Sequence, residues 1–278
     1  MTIAVLLSTR KRPASLRIAV ESILRNSVRD DTIIAVGYDR DDAERPILPD
    51  RVRVVEMDRP DALGDKFNAL WRSVDADLYI YACDDITYET HGWDQRIVDA
   101  AAIFEDKIGV VYAGFVQNAV SHIPIVRAFT RGFVELMGYF CPSIFPYWFD
   151  DTWQDEVARM VDRIALTDVS VGLIDGRGKT RRCREIAFWQ TYFDSLRSER
   201  IKQALRIIDR IDESKTRKEM LYARIPSLCE AFQRIGANLR DPEKAAHYAD
   251  INGFENEVDG AYARLMAKAQ ARIAAKAA

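Results

Sequence analysis

The 278-residue chain is poor in the residues that build metal and disulfide centres. It has four cysteines, at 83, 141, 183 and 229, far apart and without a CxxC pair. That pattern argues against a zinc site or a disulfide framework and suits a reducing compartment, so a cytoplasmic protein is expected. The three histidines, His91, His122 and His247, are equally dispersed and read as ordinary loop or surface residues. No apolar run reaches the ~20 residues that cross a bilayer. The opening Met-Thr-Ile-Ala-Val-Leu-Leu-Ser carries no basic leader, so no secretory signal is expected. Leu7-Ser8-Thr9-Arg10 contains no glycine, which speaks against a GxGxxG dinucleotide site and against the glycine-rich turn of a sugar nucleotidyltransferase. There is no internal repeat and no low-complexity linker.

What is present describes a soluble globular chain with a sizeable core and an appendage: 48% hydrophobic residues, 30% charged, net charge −3. The first half alternates strand and helix. Strands are expected at Ile3–Leu7, Thr32–Val36, Val52–Met57, 78–83 and Ile108–Tyr112, and helices from Pro13, over Asp65–Val74 and over 94–104. This order predicts an α/β fold with a mostly parallel sheet and right-handed crossovers. The most informative pair is Asp84-Asp85, closing the apolar run Leu78-Tyr79-Ile80-Tyr81-Ala82-Cys83. Such a run reads as a central buried strand, and ligands bind at the carboxyl ends of strands in open α/β sheets. Two carboxylates there need a cation, and a divalent ion carrying a phosphorylated ligand supplies one. The alternative is a polar turn with Asp as a helix cap.

Further along, 113–150 reads as loop, rich in aromatics and interrupted by Pro142 and Pro146. It ends at Asp150-Asp151-Thr152-Trp153, before a helix expected over 155–164, and 166–173 suits a late strand. Beyond about Glu185 the pattern is helical. Arg177–Arg240 holds sixteen Lys/Arg against eight Asp/Glu, which reads as a solvated helix face or as a contact surface for an acidic polymer. Two parts are expected, 1–190 and a helical 191–278.

Four blocks together resemble the GT-A fold glycosyltransferases, of the family 2 type that uses nucleotide-diphospho sugars. They are Ser8-Thr9-Arg10-Lys11-Arg12-Pro13, Asp39 within Gly37-Tyr38-Asp39-Arg40-Asp41-Asp42, Lys66-Phe67-Asn68-Ala69-Leu70, and Cys83-Asp84-Asp85, a variant of the DxD motif. The resemblance covers about residues 1–190. It implies a GT-A (Rossmann-like), mostly parallel sheet flanked by helices, with a C-terminal helical extension. It also implies a metal-dependent, inverting glycosyl transfer from a UDP-type sugar donor. Asp85 would then be the Mn²⁺ or Mg²⁺ ligand, with Asp84 on the ribose or a metal-bound water. Thr9, Arg10, Arg12, Asp39, Lys66 and Asn68 would contact the donor, Asp39 through the base. Asp151, with Asp150 second, looks like the acidic pair that supplies the general base; capping of the following helix explains the same residues. Gly178-Lys179 matches a further family feature, but the His that often accompanies it is missing, leaving Asp175 as a substitute or the third ligand open.

The acceptor has no readable code. A saccharide or lipid-linked hydroxyl is the family default, and the basic segment adds modified nucleic acid. The rival class is a nucleotide- or nucleic-acid-binding protein on a GT-A-like fold, including a transferase acting on modified DNA bases.

Overall fold

The computed structural model describes residues 1–114, 124–146, 148–174, 185–245 and 260–277, and the chain divides into two compact units. The first comprises 1–60, 66–140 and 163–178; the second comprises 61–65, 141–162 and 179–278.

The first unit is built on a seven-stranded sheet in the order β3-β2-β1-β4-β7-β6-β8. Its strands are β1 (Ile3–Ser8), β2 (Ile33–Asp39), β3 (Val52–Met57), β4 (Leu78–Cys83), β6 (Val110–Ala113), β7 (Val126–Thr130) and β8 (Ile164–Leu166). β5 (Ile86–Tyr88) and β9 (Val171–Leu173) form a separate antiparallel pair. All pairings in the large sheet are parallel except those of β7, which runs antiparallel to β4 and β6. The core strands β1 and β4 are buried along nearly their whole length, as continuous Val/Ile/Leu/Ala/Tyr runs covered on both faces require. Helix α1 (Pro13–Asn26) packs Leu16, Ala19, Val20 and Ile23 inward, and Pro13 at its first turn costs no hydrogen bond. In α2 (Leu63–Ser73), Phe67 stacks on Tyr81 with ring centroids 4.2 Å apart. α3 (Trp93–Ala101) buries Trp93, Ile97 and Val98.

Two differences from the sequence expectation lie in this unit. The 113–150 stretch contains β7 and the short helix α4 (Arg131–Met137), capped by Thr130. A charge at the second position of β7 obscured it: Arg127 is buried in mid-sheet, its guanidinium 4.7 Å from the Tyr81 ring centroid. The single strand expected over 166–173 is two short ones, β8 and β9, that join different sheets.

The second unit is helical: α5 (Asp150–Val161), α6 (Ile186–Ser195), α7 (Arg197–Arg210), α8 (Lys215–Ile235), α9 (Ala237–Arg240) and α10 (Gly260–Ala277). Its core is aromatic, with Phe145, Phe149, Trp153, Trp189, Tyr192 and Phe193 in mutual contact. Arg200 is buried there, its guanidinium 3.7 Å from the Phe193 centroid and Nε donating to Glu156 at 2.6 Å. α5 starts earlier than expected, so Asp150 and Asp151 sit in its first turn and Phe149, at φ 72°, precedes it.

Candidate functional site

Register places the site. Ser8 pairs with Gly37 on one side and Cys83 on the other, so β1 and β4 end at one level and β2 runs two residues further. The last residue of β2, Asp39, and the residues that follow the three strands, Thr9 to Arg12, Arg40 to Asp42 and Asp84-Asp85, are thereby gathered on one edge. Lys66 reaches them from α2, and the bare Cα of Gly37 lets its stem pass: a Cβ there would stand 3.1 Å from Lys66 Cγ.

Two charge clusters result. In the first, Asp39, 2% exposed, meets Lys66 Nζ at 2.6 Å and accepts a hydrogen bond from Arg10 Nη1 at 2.9 Å. Arg10 also holds Asp41 through both terminal nitrogens, at 2.7 and 3.0 Å, a fork-to-carboxylate match. Those bonds with Asp41 raise the Arg10 pKa despite burial. Lys66 also donates to the Thr9 carbonyl at 3.1 Å, and burial pulls its pKa below the usual lysine value against the opposing pull of Asp39.

In the second cluster, Asp84 accepts from the Thr9 hydroxyl at 2.7 Å, and Arg12 Nη1 donates to Asp84 Oδ1 and Asp85 Oδ2, each at 3.0 Å. Burial pushes the Asp84 carboxyl above its ordinary range, more than Arg12 and Thr9 pull it down. Asp94 provides the contrast. It too is buried, but it accepts from the amides of Val28 and Arg29 and from the hydroxyls of Ser27 and Thr32. Burial is again the largest influence there, yet those bonds together hold its pKa below the usual value. Asp94 is a latch held by amides and hydroxyls, whereas Asp84 is bonded by one hydroxyl and one guanidinium at the end of β4.

The turn between the clusters depends on Lys11 at φ 53°, whose amide donates to Asp42 at 2.6 Å. That left-handed residue sends Arg10 toward the carboxylates after β2 and Arg12 toward those after β4. The Arg10–Asp41 and Lys11–Asp42 contacts escaped the sequence reading, although adjacent loops of opposite charge after neighbouring strands were a signal for them. Asn68, expected at the donor, is buried and accepts from the Phe140 amide at 2.8 Å, which fixes the chain after α4.

In the second unit Asp150 is buried and accepts from the Cys141 thiol at 3.3 Å, while Asp151 is partly exposed and accepts from the Thr152 amide. Carboxylates in a helix's first turn are favoured by its dipole. The aromatics Phe145 and Phe149 are core residues of this unit. Of the basic excess, Arg197 and Arg240 pair with Asp194, Arg217 and Arg224 with Asp162, and Arg200 with Glu156. Asp175, Gly178, Lys179, His122 and His247 lie outside the described residues.

No family model matches the sequence, and no curated protein does. Solved structures match the fold. S. aureus TarS residues 1–349 in complex with UDP-GlcNAc superposes with a TM-score of 0.57 at 12% identity, covering 87% of this chain and 76% of that one. The same protein in complex with UDP gives 0.56 at 11% identity, over 89% and 78%. The chain has a GT-A-like fold. In the GT-A frame, the two charge clusters sit at the carboxyl edge of the sheet, where open α/β folds bind ligands. Among the described residues, no helix is long and apolar enough to cross a membrane.

Proposed function

We propose that the protein is a glycosyltransferase that moves a sugar from a nucleotide-diphospho sugar, UDP-linked by preference, to an acceptor hydroxyl with inversion. The observation that carries this reading is the convergence of Arg10, Arg12, Lys66, Asp39, Asp84 and Asp85 on one sheet edge, in a fold shared with a protein seen with UDP-GlcNAc. Glycosyl transfer expels a diphosphate that gains charge as the bond breaks, and preorganised cations stabilise such a leaving group. Arg10 and Arg12 are the forked donors suited to it. Asp39 is the acceptor for a base N–H, with Lys66 fixing its orientation. Asp84 and Thr9 serve the ribose side. Asp151 is the general base in this reading, because it is more open than Asp150. A reducing compartment such as the cytoplasm, and a saccharide or lipid-linked acceptor, belong to the same proposal.

For a metal, the donor chemistry is right: Asp84 and Asp85 offer hard carboxylate oxygens of the kind Mg²⁺ or Mn²⁺ takes. The set is short, since no cluster of three or more His, Cys, Asp or Glu that could hold an ion occurs among the described residues. Asp84 and Asp85 would be the residues that hold the cation. When bound, it would supply Lewis-acid stabilisation to the departing diphosphate.

A panel of nucleotide sugars with and without Mn²⁺, read as thermal stabilisation, tests the proposal, because a ligand of the native state raises its melting point. A UDP-sugar that shifts Tm and then releases UDP supports it. If no nucleotide sugar shifts Tm and none is hydrolysed, the reading is wrong.

A further inference from the structure

The carboxylate pair at the end of β4 already has a cation, and it is part of the chain. A single nitrogen, Arg12 Nη1, stands 3.0 Å from both Asp84 and Asp85. The Arg12 side chain is 10% exposed and that of Asp84 8%, so their contact is largely shielded from water and little screened, whereas Asp85 is 42% exposed. Asp84 is held on both oxygens, Oδ1 by Arg12 and Oδ2 by Thr9. Arg12 occupies the residue before α1 and makes no side-chain capping bond there, while its Nη1 donates to both acids. A divalent ion between Asp84 and Asp85 would need the volume that Nη1 fills, and two cations so close would repel strongly. Leaving the pair would cost the guanidinium its two carboxylate contacts, which a new anion would replace. A diphosphate is such an anion, matching the guanidinium fork in geometry and charge.

We propose that Arg12 and a divalent cation compete for the same two carboxylates, and that an arriving diphosphate draws Arg12 off them, so that metal and nucleotide bind together or poorly. This rests on the nucleotide-sugar reading for its second half only; the competition stands on the contacts of Arg12 alone. The coupling is reciprocal: UDP strengthens metal binding by the same factor by which metal strengthens UDP binding.

Calorimetric titration tests it on the intact chain, with Mn²⁺ alone, UDP alone, and Mn²⁺ at saturating UDP, for wild type, Arg12→Gln and Arg12→Lys. Wild type is expected to bind Mn²⁺ about tenfold or more tightly once UDP is present, within the usual range for coupled sites. Arg12→Gln is expected to bind Mn²⁺ alone about tenfold more tightly than wild type, the scale of one charge-assisted hydrogen bond, with the UDP effect largely gone. Arg12→Lys, a shorter point charge, falls between them; should the glutamine variant fail to fold, an Arg12→Lys affinity for Mn²⁺ no higher than wild type overturns the competition. So does equal, weaker or undetectable Mn²⁺ binding by a folded Arg12→Gln. If no version binds UDP, the nucleotide-sugar reading falls, while the Mn²⁺ affinities still decide the competition. If UDP binds normally and Mn²⁺ affinity ignores residue 12, this inference falls and the reading survives.

Discussion

Replacing Lys66 by methionine tests the logic of the buried charge cluster directly. Lys66 is 4% exposed and its ammonium serves two acceptors, Asp39 at 2.6 Å and the Thr9 carbonyl at 3.1 Å. Methionine keeps most of the stem packed along Gly37 and Leu70 but removes the charge. Breaking a buried ion pair by deleting one partner costs about 3–5 kcal/mol, because the survivor is left desolvated. Two features of the structure reduce that figure. Asp39 keeps its bond from Arg10, so it is not left alone. Burial has also lowered the Lys66 pKa, so the ammonium is worse off in the fold than in water and its removal returns part of the loss. The expected cost is about 2 kcal/mol, within the range for deleting one partner of a buried polar contact. Urea unfolding at pH 7, read as a fall in midpoint at constant slope, measures it. A second substitution, Asp39→Asn, should recover part of the loss, since an amide oxygen still accepts from Arg10 without an unmet charge. The sign with pH is also fixed. A lysine with a depressed folded-state pKa contributes stability that is present above its unfolded value of 10.5 and lost as pH falls through the folded value. Wild type should therefore gain stability on raising pH toward 10.5, and Lys66→Met should lack that gain. A variant within 0.5 kcal/mol of wild type, well below the ~2 expected for a buried pair, or a double variant weaker than the single, would refute the reasoning.

Other expectations follow from the same contacts. Burial pushes the Glu156 carboxyl up to about 6 despite Arg200, so its contribution is full below the unfolded value of 4.5 and fades as pH rises through about 6. That is worth about 2 kcal/mol, and Glu156→Gln should flatten the pH dependence of unfolding in that window; an unchanged profile assigns it elsewhere. Asp151→Asn should leave UDP binding intact and slow transfer roughly 10²-fold or more, measured as steady-state UDP release; undiminished turnover would move the base to another residue. Lys11→Gly should stabilise the fold by a few tenths to about 1 kcal/mol, read as a higher urea midpoint, because glycine relieves the left-handed strain at φ 53°. A loss of stability would show that the lysine side chain matters more than its backbone.

Much of the fold was legible because it rests on local pattern. The runs at β1, β2 and β4 are apolar and rich in β-branched or aromatic residues, β3 mixes valine with charge, and Pro13 marks a helix start that the structure keeps. β7 was not legible: five residues with an arginine at the second position look like a surface loop until Tyr81 from β4 is placed under the guanidinium. The late strand over 166–173 divided because Leu166 and Val171, five residues apart in sequence, pair with partners in different sheets, a choice made by long-range contacts. Within the candidate site, residue types and strand ends could be read from sequence, but partners could not. Nothing local says that Arg10 faces Asp39 and Asp41 while Arg12, two residues on, faces Asp84 and Asp85. The left-handed turn at Lys11 and the register that gathers three strand ends decide that.

A mostly parallel α/β sheet with flanking helices was therefore encoded in short segments, because burial pattern and strand polarity are local properties. Only the tertiary structure decided how the acidic and basic residues at its carboxyl edge pair. That pairing is set by register between strands up to 75 residues apart, and it is there that an arginine of the chain itself comes to lie on the two carboxylates.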